Sequence, residues 1–488
     1  MKRDNLSRRA FLYHGGLLSA AGLAWSYAPL RLFGAVDPVQ PGAADWPRFG
    51  CDLHNTRFNG KENTIGPANV DRLKVKWTFE TLDHWIIYET PAVVGDSVFF
   101  GAGRYVYALD SAAGKLKWKF DWGANGEWEK AVSGENIAMA GVRSSPQYYE
   151  GRVYFGSPTC AVYCLDAATG KQLWRTPLVN AQELEKGGGE IYYSPIAYAG
   201  KVYCTYSGGN ASIFCLDADT GAIRWKFRIA RDVPEQWEAG GGSPWTSGAI
   251  DEQRKILFNG TGNFHVTTAT LGLYTDSLVA HDLDTGELLW YDQVHPQDTM
   301  DLDFNAHPMI FDAIAPGRIR GDVRPCVAAG NKGGMYCWNR YSGEMYWHIM
   351  LGTACAGCGP ENNATAFAYN AVYLEWNSAA GPAPFATTAA VHAYNGEVEW
   401  MVPNPDRSSS PIAVANEVLY EGFLNGKMRA LHARDGRTLW EYTLPSTFKG
   451  GVAVANGAVY TGNGGTLQWK PDQSSTRYAL YCFTVDGK

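Results

Sequence analysis

Two aspartates stand two residues apart in the segment His295-Pro-Gln-Asp-Thr-Met-Asp-Leu-Asp-Phe304. In an extended strand, residues i and i+2 point the same way, so the carboxylates of Asp301 and Asp303 would face one point. Two carboxylates so close repel each other unless a cation neutralises them. The spacing therefore favours an acidic pair that holds a cation. The alternative is a solvated acidic loop, since Asp is common in turns.

Two other side chains, which precede this pair in the sequence, could bind a ligand. Trp245 ends the segment Gly240-Gly-Gly-Ser-Pro-Trp245, and its indole would offer a flat apolar surface to a planar ring. Asn263 ends the segment Asn259-Gly-Thr-Gly-Asn263. Its amide oxygen is a hard ligand suited to an oxygen-seeking cation. Packing in the core for Trp245 and a hairpin turn for Asn263 are the structural alternatives.

A repeated phrase predicts the frame that positions these residues. It consists of Leu-Asp or a near relative, a turn that ends in Gly, and a Trp four residues later. Seven copies end at Gly114/Trp118, Gly170/Trp174, Gly221/Trp225, Gly286/Trp290, Gly343/Trp347, Gly396/Trp400 and Gly436/Trp440. Repeats with periods of roughly 40–65 residues are typical of four-stranded propeller blades. An isolated blade cannot bury both faces, so the copies must stack around an axis.

The last copy is cut short, because the chain ends at Tyr478–Lys488 where a strand with Trp should follow. The missing strand lies at the other end, in Leu73-Lys-Val-Lys-Trp-Thr-Phe79. We therefore predict an all-β, eight-bladed β-propeller closed by the N-terminal strand, with little helix. Such closure removes an exposed sheet edge. The alternative is a seven-bladed ring with a loose tail.

The first residues read as an export signal rather than as part of the propeller. Ser7-Arg-Arg-Ala-Phe-Leu12 is a twin-arginine sequence, followed by a short apolar stretch that Pro29 and Arg31 close off. We predict a signal peptide over 1–35, a propeller over 36–488, a periplasmic location and no transmembrane segment in the mature chain. Removal of 1–35 takes away five basic residues and one acid, so the formal charge changes from −7 to −11. An acidic chain argues against nucleic-acid binding.

Ten cysteines leave disulfides open in an exported protein. Cys204 and Cys215 would lie opposite each other if a hairpin turns between them, and Cys355 and Cys358 form a C-x-x-C pair. Sequence alone decides neither pairing. Residue Gly359 excludes a c-type haem attachment site, which needs His after C-x-x-C.

The repeats resemble the tryptophan-docking motifs of the pyrroloquinoline quinone (PQQ) dehydrogenases. The segment Asp45-Trp-Pro-Arg-Phe-Gly-Cys-Asp-Leu-His-Asn-Thr-Arg57 is also similar to the start of that family. The resemblance covers nearly the whole chain after the signal. It implies that PQQ and a cation, Ca²⁺ or a lanthanide ion, lie on the propeller axis. It also implies a periplasmic dehydrogenase that oxidises an alcohol or a sugar and passes electrons to an external acceptor such as a cytochrome c.

The same resemblance assigns roles to single residues. Trp245 would cover one face of the quinone, Asp301 would be the catalytic base and a metal ligand, and Asn263 a metal ligand. Asp303 matches the second acid of the lanthanide-dependent branch. The remaining expected contacts to the cofactor are Lys332 in Gly330-Asn-Lys-Gly-Gly334, Arg143 in Gly141-Val-Arg-Ser-Ser145, and Ser207.

Several positions depart from the family pattern. Asn210 stands where the family has a Glu metal ligand, which removes one negative charge from the site although the amide still offers an oxygen. The vicinal cysteines that cap the quinone are missing from 131–140. Glu89 falls one residue later than the family's acid, and Ser408 stands where methanol dehydrogenases have a second pocket Trp.

Two other functions remain open from sequence. One is a non-catalytic propeller that binds proteins in the periplasm or in outer-membrane assembly, like the assembly lipoprotein that shares this fold. The other is a polysaccharide-binding scaffold that uses rim aromatics such as Trp85, Trp122 and Trp128. A scaffold has no use for Trp245, Asn263, Asp301, Asp303 and Lys332 in one pocket, so their placement separates these functions.

Overall fold

The computed structural model describes residues 39–132, 141–180, 189–232, 241–264, 272–298, 300–317, 322–352, 354, 365–378, 385–464 and 478–488. Within these ranges the chain is almost entirely β. The helical elements there are the α-helix Glu127–Val132 and two 3-10 turns, Val70–Arg72 and Ala124–Gly126. The predicted signal sequence over 1–35 and the pair Cys355/Cys358 lie outside the described residues.

Eight antiparallel four-stranded sheets form the blades, numbered here in chain order from the innermost strand outward. Blade 1 consists of Ala92–Val94, Ser97–Ala102, Tyr105–Asp110 and Leu116–Asp121, and blade 2 of Gln147–Tyr149, Arg152–Gly156, Ala161–Asp166 and Gln172–Pro177. Blade 3 consists of Ile196–Tyr198, Lys201–Tyr206, Ser212–Asp217 and Ile223–Arg228, and blade 4 of Ala249–Asp251, Ile256–Gly260, Ser277–Asp282 and Leu288–Gln293.

Blades 5 to 8 follow the same order. Blade 5 consists of Phe304–Ile314, Val323–Asn331, Gly334–Asn339 and Met345–Ile349, and blade 6 of Thr365–Ala368, Ala371–Ser378, Phe385–His392 and Val398–Pro403. Blade 7 consists of Ala413–Ala415, Val418–Gly422, Lys427–His432 and Thr438–Thr443, and blade 8 of Ala453–Ala455, Ala458–Gly462, Ala479–Val485 and Leu73–Glu80. A short fifth strand, Phe58–Asn59, runs parallel to the inner strand of blade 7.

The N-terminal strand closes the ring as the outer strand of blade 8. Leu73–Glu80 pairs antiparallel with Ala479–Val485, from Leu73 opposite Val485 to Glu80 opposite Ala479. The two ends of the chain are thereby joined in one sheet. The prediction of eight blades is confirmed, and the seven-bladed alternative is wrong.

The repeated Gly and Trp fasten each blade to the next. The indole N–H of Trp77 in blade 8 donates to Ser111 O of blade 1 at 3.0 Å, and Trp118 of blade 1 donates to Ala167 O of blade 2 at 2.9 Å. The ring of Trp77 covers the turn at Gly114, whose φ is +65° and where a Cβ would lie 2.6 Å from the indole. Only Gly meets both demands, which explains the spacing of the phrase.

The segment that precedes the first strand ties the inner strands of five blades together. Its carbonyls accept backbone N–H groups from the inner strands of five blades, in the pairs Pro47–Tyr148, Leu53–Ile250, His54–Ile310, Thr56–Phe367 and Arg57–Val414. The buried guanidinium of Arg57 donates to the carbonyls of Phe49 and Val452. Phe49 of this segment also lines the central cavity described below.

Two expectations need correction. Cys204 lies opposite Phe214, and Cys215 lies opposite Tyr203, so the two sulfurs point to opposite faces of the sheet and remain free thiols. The three tryptophans expected on the rim pack on one another instead. Trp128 contacts both Trp85 and Trp122 edge-on, at centroid distances of 5.3 and 5.9 Å, and Trp122 is buried.

Within the described ranges, no helix has both the length and the apolar character needed to cross a membrane.

Candidate functional site

A central cavity of about 430 Å³ collects side chains from most of the blades. Several of these residues share one position, the fourth residue before the innermost strand of a blade. They are Tyr88 in blade 1, Arg143 in blade 2, Tyr192 in blade 3, Trp245 in blade 4, Ser409 in blade 7 and Lys449 in blade 8. Because each inner strand starts at the axis, this one register places distant parts of the chain around a common space.

The cavity brings together most of the residues predicted from sequence. Trp245, Asp301, Asp303, Lys332 and Arg143 all line it. Asn263 adjoins it, since its Nδ2 donates to Asp301 Oδ1 at 3.2 Å. Of the five residues that the sequence predicted to share one cavity, Trp245, Asp301, Asp303 and Lys332 line it, whereas Asn263 lies beside it.

Lys332 stands between the two aspartates, in the tight turn that joins the second and third strands of blade 5. Its Nζ donates to Asp301 Oδ2 at 2.7 Å and to Asp303 Oδ2 at 3.0 Å. The other oxygen of Asp303 accepts the backbone N–H of Asn263 at 2.6 Å. In this structure, an ammonium group therefore supplies the positive charge that the acidic pair requires.

The backbone around the acidic pair differs from the extended strand that the spacing predicted. The strand begins only at Phe304, and Asp301 has φ of +63°, in the left-handed region. The two carboxylates nevertheless converge, because Lys332 holds both. A non-glycine residue in this region is strained and persists where its surroundings hold it, as is common at functional sites.

The two aspartates differ in exposure and in pKa. The Asp301 side chain is 53% exposed, whereas that of Asp303 is 8% exposed. Burial alone would raise both pKa values. For Asp301, the hydrogen bonds from Lys332 and Asn263 outweigh burial and hold the pKa below its usual value. For Asp303, burial prevails over the charge of Lys332 and the pKa is raised. Asp301 is thus the carboxylate that is ionised and open to a substrate.

Sequence reasoning missed a third acid beside this pair. Asp276 is fully buried, and neither carboxylate oxygen has a hydrogen-bond partner among the described residues. Burial and then repulsion by Asp303 and Asp298 raise its pKa to about 9. Asp276 is therefore protonated at neutral pH, so it adds no negative charge to Asp301 and Asp303. No motif marks Asp276 in the sequence.

The oxygen atoms beside Lys332 fit a hard cation. Asn263 Oδ1 is buried and has no hydrogen-bond partner in the described part of the chain. It belongs to the same side chain that contacts Asp301, so one amide and two carboxylate groups lie together. Within the described residues, no group of three His, Cys, Asp or Glu side chains could hold a metal ion. A cation here would therefore depend on the amide oxygen of Asn263 beside Asp301 and Asp303.

Arg143 lies in an aromatic slot on another side of the cavity. Its guanidinium carbon is 4.9 Å from the ring centre of Tyr88 and 4.8 Å from that of Tyr192. Glu190 is 4.0 Å away and is buried with it. Contacts with two aromatic rings restrain the guanidinium, and its planar fork of N–H donors suits a carboxylate. The ring of Tyr192 also lies 4.5 Å from that of Trp245.

Two predicted residues do not line the cavity. The hydroxyl of Ser207 donates to Pro244 O at 3.2 Å, and the residue is buried. Asn210 is half-buried, and its Oδ1 has no hydrogen-bond partner among the residues that the structure describes. Their roles as cofactor and metal contacts stay predictions.

Glu89 and Ser408, which depart from the family pattern, both line the cavity. Glu89 accepts the backbone N–H of Gly101, and burial raises its pKa well above the usual value. The hydroxyl of Ser408 donates to Gly422 O at 2.8 Å. A small residue at position 408 leaves space in the cavity where a second Trp would stand.

Two basic residues of the cavity escaped sequence reasoning. Arg407 directly precedes Ser408, and Lys449 lies in the loop before blade 8. Lys449 has the same register as Arg143 and Trp245, four residues before an inner strand. That register was the available signal. It becomes visible only once the limits of each inner strand are known.

Comparisons with known proteins agree with this architecture. Residues 46–365 match the family described as the glucose/ethanol/alcohol dehydrogenase β-propeller domain. Residues 274–477 match a second family, described as the outer membrane protein assembly factor BamB. The first match covers well over half of the chain, whereas the second covers less than half.

Individual relatives are more distant. A quinohemoprotein alcohol dehydrogenase of Comamonas testosteroni is 28% identical over 67% of this chain and 50% of the relative. A polyvinylalcohol dehydrogenase of Pseudomonas sp. is 28% identical over 54% of this chain and 43% of the relative. The chain thus spans about half the length of these curated relatives. A europium-containing methanol dehydrogenase superimposes with a TM-score of 0.77 at 19% identity, over 91% of this chain and 99% of that one, which shows the fold.

Proposed function

Because the chain belongs to the family of the glucose/ethanol/alcohol dehydrogenase β-propeller domain, we propose that it is a PQQ-dependent dehydrogenase that oxidises an alcohol or a sugar. The single observation that carries this proposal is the common cavity of Trp245, Asp301, Lys332 and Arg143. These side chains come from three different blades and offer an aromatic face, a base and two cations. A planar anionic quinone needs these features together.

The residues of the cavity fit PQQ in size and charge. A volume of about 430 Å³ lies within the usual range of small-molecule sites. Trp245 would lie against one face of the ring system, and Arg143 would bind one of its carboxylates. When bound, PQQ supplies the electron acceptor for the two electrons that leave the alcohol carbon.

Asp301 is the candidate base for the substrate hydroxyl. Its carboxylate is ionised and half exposed to the cavity, so it can accept a proton there. Lys332 holds Asp301 in place and would stabilise negative charge that develops beside it. Phe49, Tyr192 and Trp245 give the cavity aromatic walls that would face a bound ring system.

Ca²⁺ or a lanthanide ion would be held by Asn263, Asp301 and Asp303, with Asn210 as a further predicted ligand. An ion of higher charge binds more favourably where more carboxylates face it, so Asp303 supports the lanthanide alternative. For an ion to reach both carboxylates, the ammonium of Lys332 would have to withdraw from at least one of them. The cation would then take over part of the neutralisation that Lys332 provides.

The twin-arginine sequence supports a periplasmic site of action, and electrons would pass to an external carrier such as a cytochrome c. A protein-binding scaffold in the periplasm or in outer-membrane assembly is the second candidate, and the match of 274–477 to the BamB family favours it. A scaffold needs no acid–base pair within a cavity, however. The positions of Asp301 and Lys332 therefore support the enzyme over the scaffold.

Reconstitution of the purified protein with PQQ tests the proposal. Protein loaded with PQQ and either Ca²⁺ or La³⁺ should reduce an artificial dye when primary alcohols or aldose sugars are added. Asp301→Asn should lower kcat by at least about 100-fold, because removal of a general base costs a factor of 10²–10⁴. Asp71→Asn, which changes an exposed carboxylate outside the cavity, is the matched control.

Binding of PQQ separates the two candidates. Quenching of Trp fluorescence by PQQ should saturate with the wild-type protein in the presence of a cation. If no quenching occurs with Ca²⁺, La³⁺ or without metal, and no dye is reduced, the dehydrogenase proposal is wrong. The scaffold would then be the remaining candidate.

A further inference from the structure

The basic residues of the cavity form two separate electrostatic groups. Lys332 belongs to the acidic group in blade 5, where Asp301 and Asp303 neutralise it. Arg143, Arg407 and Lys449 precede the inner strands of blades 2, 7 and 8. The loops that carry these three cations belong to other blades, two or three positions around the ring from blade 5.

Lys449 lies close enough to Arg143 and Arg407 for their charges to act on it. Burial and then the charges of Arg143 and Arg407 lower the pKa of Lys449 to about 7. Arg143 has a partner, Glu190, but at 4.0 Å that contact is long for an ion pair. Arg407 forms no ion pair with any residue in the described ranges. Bringing cations together in a partly closed space costs free energy, which a bound anion offsets.

A neutral donor stands beside these cations. Ser409 is buried, lines the same cavity, and its hydroxyl has no hydrogen-bond partner among the described residues. It follows Arg407 by two positions and precedes the inner strand of blade 7. A hydroxyl, a guanidinium and an ammonium are together the donors that a carboxylate accepts.

We propose that Arg407, Lys449 and Ser409 form, with Arg143, an anion-binding wall that takes a carboxylate. The inference deepens the proposed function and rests on it for the nature of the ligand. Two sources offer the same chemistry. One is a carboxylate of PQQ, and the other is the acid group of a substrate such as a hydroxy acid or sugar acid. In the second case, the wall selects acidic alcohols over neutral ones.

The first test measures the wall without the quinone. Trimesate, a planar aromatic tricarboxylate, is titrated by calorimetry into the full-length wild-type protein and into the double variant Arg407→Gln/Lys449→Gln. The dissociation constant should rise about tenfold or more, because charge-assisted hydrogen bonds are lost. The control is Lys74→Gln/Arg437→Gln, which removes two exposed cations outside the cavity. The melting temperature of the double variant is measured beside that of the wild type, so that a loss of fold is distinguished from a loss of anion binding.

The second test distinguishes the two sources. If a cofactor carboxylate binds the wall, the double variant loses affinity for PQQ in fluorescence titrations. If a substrate carboxylate binds there, affinity for PQQ is kept while KM for glycerate rises and KM for glycerol does not. Trimesate binding that depends on the wall, in a protein that does not bind PQQ, would refute the proposed function and leave the wall intact.

The wall itself is refuted by either of two results. One is a double variant that keeps the wild-type affinities for trimesate and PQQ together with an unchanged KM for glycerate. The other is a wild-type protein that binds neither trimesate nor PQQ.

Discussion

Lys332 Nζ lies 2.7 Å from Asp301 Oδ2. Lys332 stands in the turn between the second and third strands of blade 5, and Asp301 stands just before the first strand of the same blade. The same ammonium is 3.0 Å from Asp303, so one cation neutralises two carboxylates. Burial alone would lower the pKa of Lys332, yet the two acids raise it above its usual value. Lys332 is therefore charged at every pH at which the protein would work.

Replacing Lys332 with Met should destabilise the fold. The substitution leaves the buried carboxylate of Asp303 without its cation, and breaking a buried pair costs about 3 kcal/mol or more. The free energy of unfolding, measured by urea denaturation at pH 7 without added metal, should fall by about that amount. Adding Asp303→Asn should restore much of the loss. An unchanged midpoint in the single variant would contradict the pairing.

Trp245 should determine how tightly the quinone binds. Trp245→Ala removes the aromatic face, so the dissociation constant for PQQ should rise about tenfold, because stacking contributes about 0.5–1.5 kcal/mol beyond apolar contact. Trp245→Phe should retain part of the affinity. Calorimetry is the appropriate measurement, since the variant also changes the fluorescence signal. Trp128→Phe, which alters an aromatic cluster outside the cavity lining, should bind like the wild type.

The fold could be predicted from the sequence because one repeated contact builds it. Each Trp requires a Gly with positive φ on the next blade, as Trp77 does at Gly114. That requirement leaves a fixed spacing in the chain. The number of copies of the repeat also predicted that Leu73–Glu80 closes the ring, because the last copy lacks a strand with Trp.

The site was predictable only where local motifs matched the family. Trp245, Asp301 and Lys332 stand in recognisable segments, and they meet in the cavity. Lys449 and Asp276 carry no local motif, and their significance comes from neighbours that are remote in sequence. The register of the hairpin that carries Cys204 and Cys215 could not be predicted from sequence either, since a shift of one residue moves a side chain to the other face of the sheet.

Lys449 should make anion binding depend on pH. Its pKa of about 7 means that its positive charge is present below pH 7 and is lost above it. Burial alone would lower the pKa of Arg143, but Glu190, Tyr192 and Tyr88 raise it above its usual value, so Arg143 keeps its charge in this range. Burial raises the pKa of Glu89 well above its usual value. The dissociation constant for trimesate should therefore rise about tenfold between pH 6 and pH 9. Lys449→Arg, which remains cationic, should show little change; an equally steep profile in that variant would exclude Lys449 as the titrating group.

The last prediction concerns a buried acid pair between blades 6 and 7. Glu375 is fully buried, and neither carboxylate oxygen has a hydrogen-bond partner among the residues described. Glu421, also fully buried, is held by Arg429. Burial, and then the charge of Glu421, raises the pKa of Glu375 well above its usual value. Glu375 is accordingly protonated in the folded protein at a pH where the unfolded chain would have released the proton.

The sign of the resulting pH dependence follows from linkage. A raised pKa contributes stability that is fully present below the unfolded value near 4 and is lost as pH rises towards the folded value. Glu375→Gln keeps the shape and removes the ionisation. The variant should match the wild type at pH 4.5 and exceed it by at least about 1 kcal/mol at pH 8.5. Thermal and urea denaturation at both pH values measure this difference. Glu399→Gln, an exposed change in blade 6, should show no such divergence, and parallel pH profiles for wild type and Glu375→Gln would mean that Glu375 ionises normally.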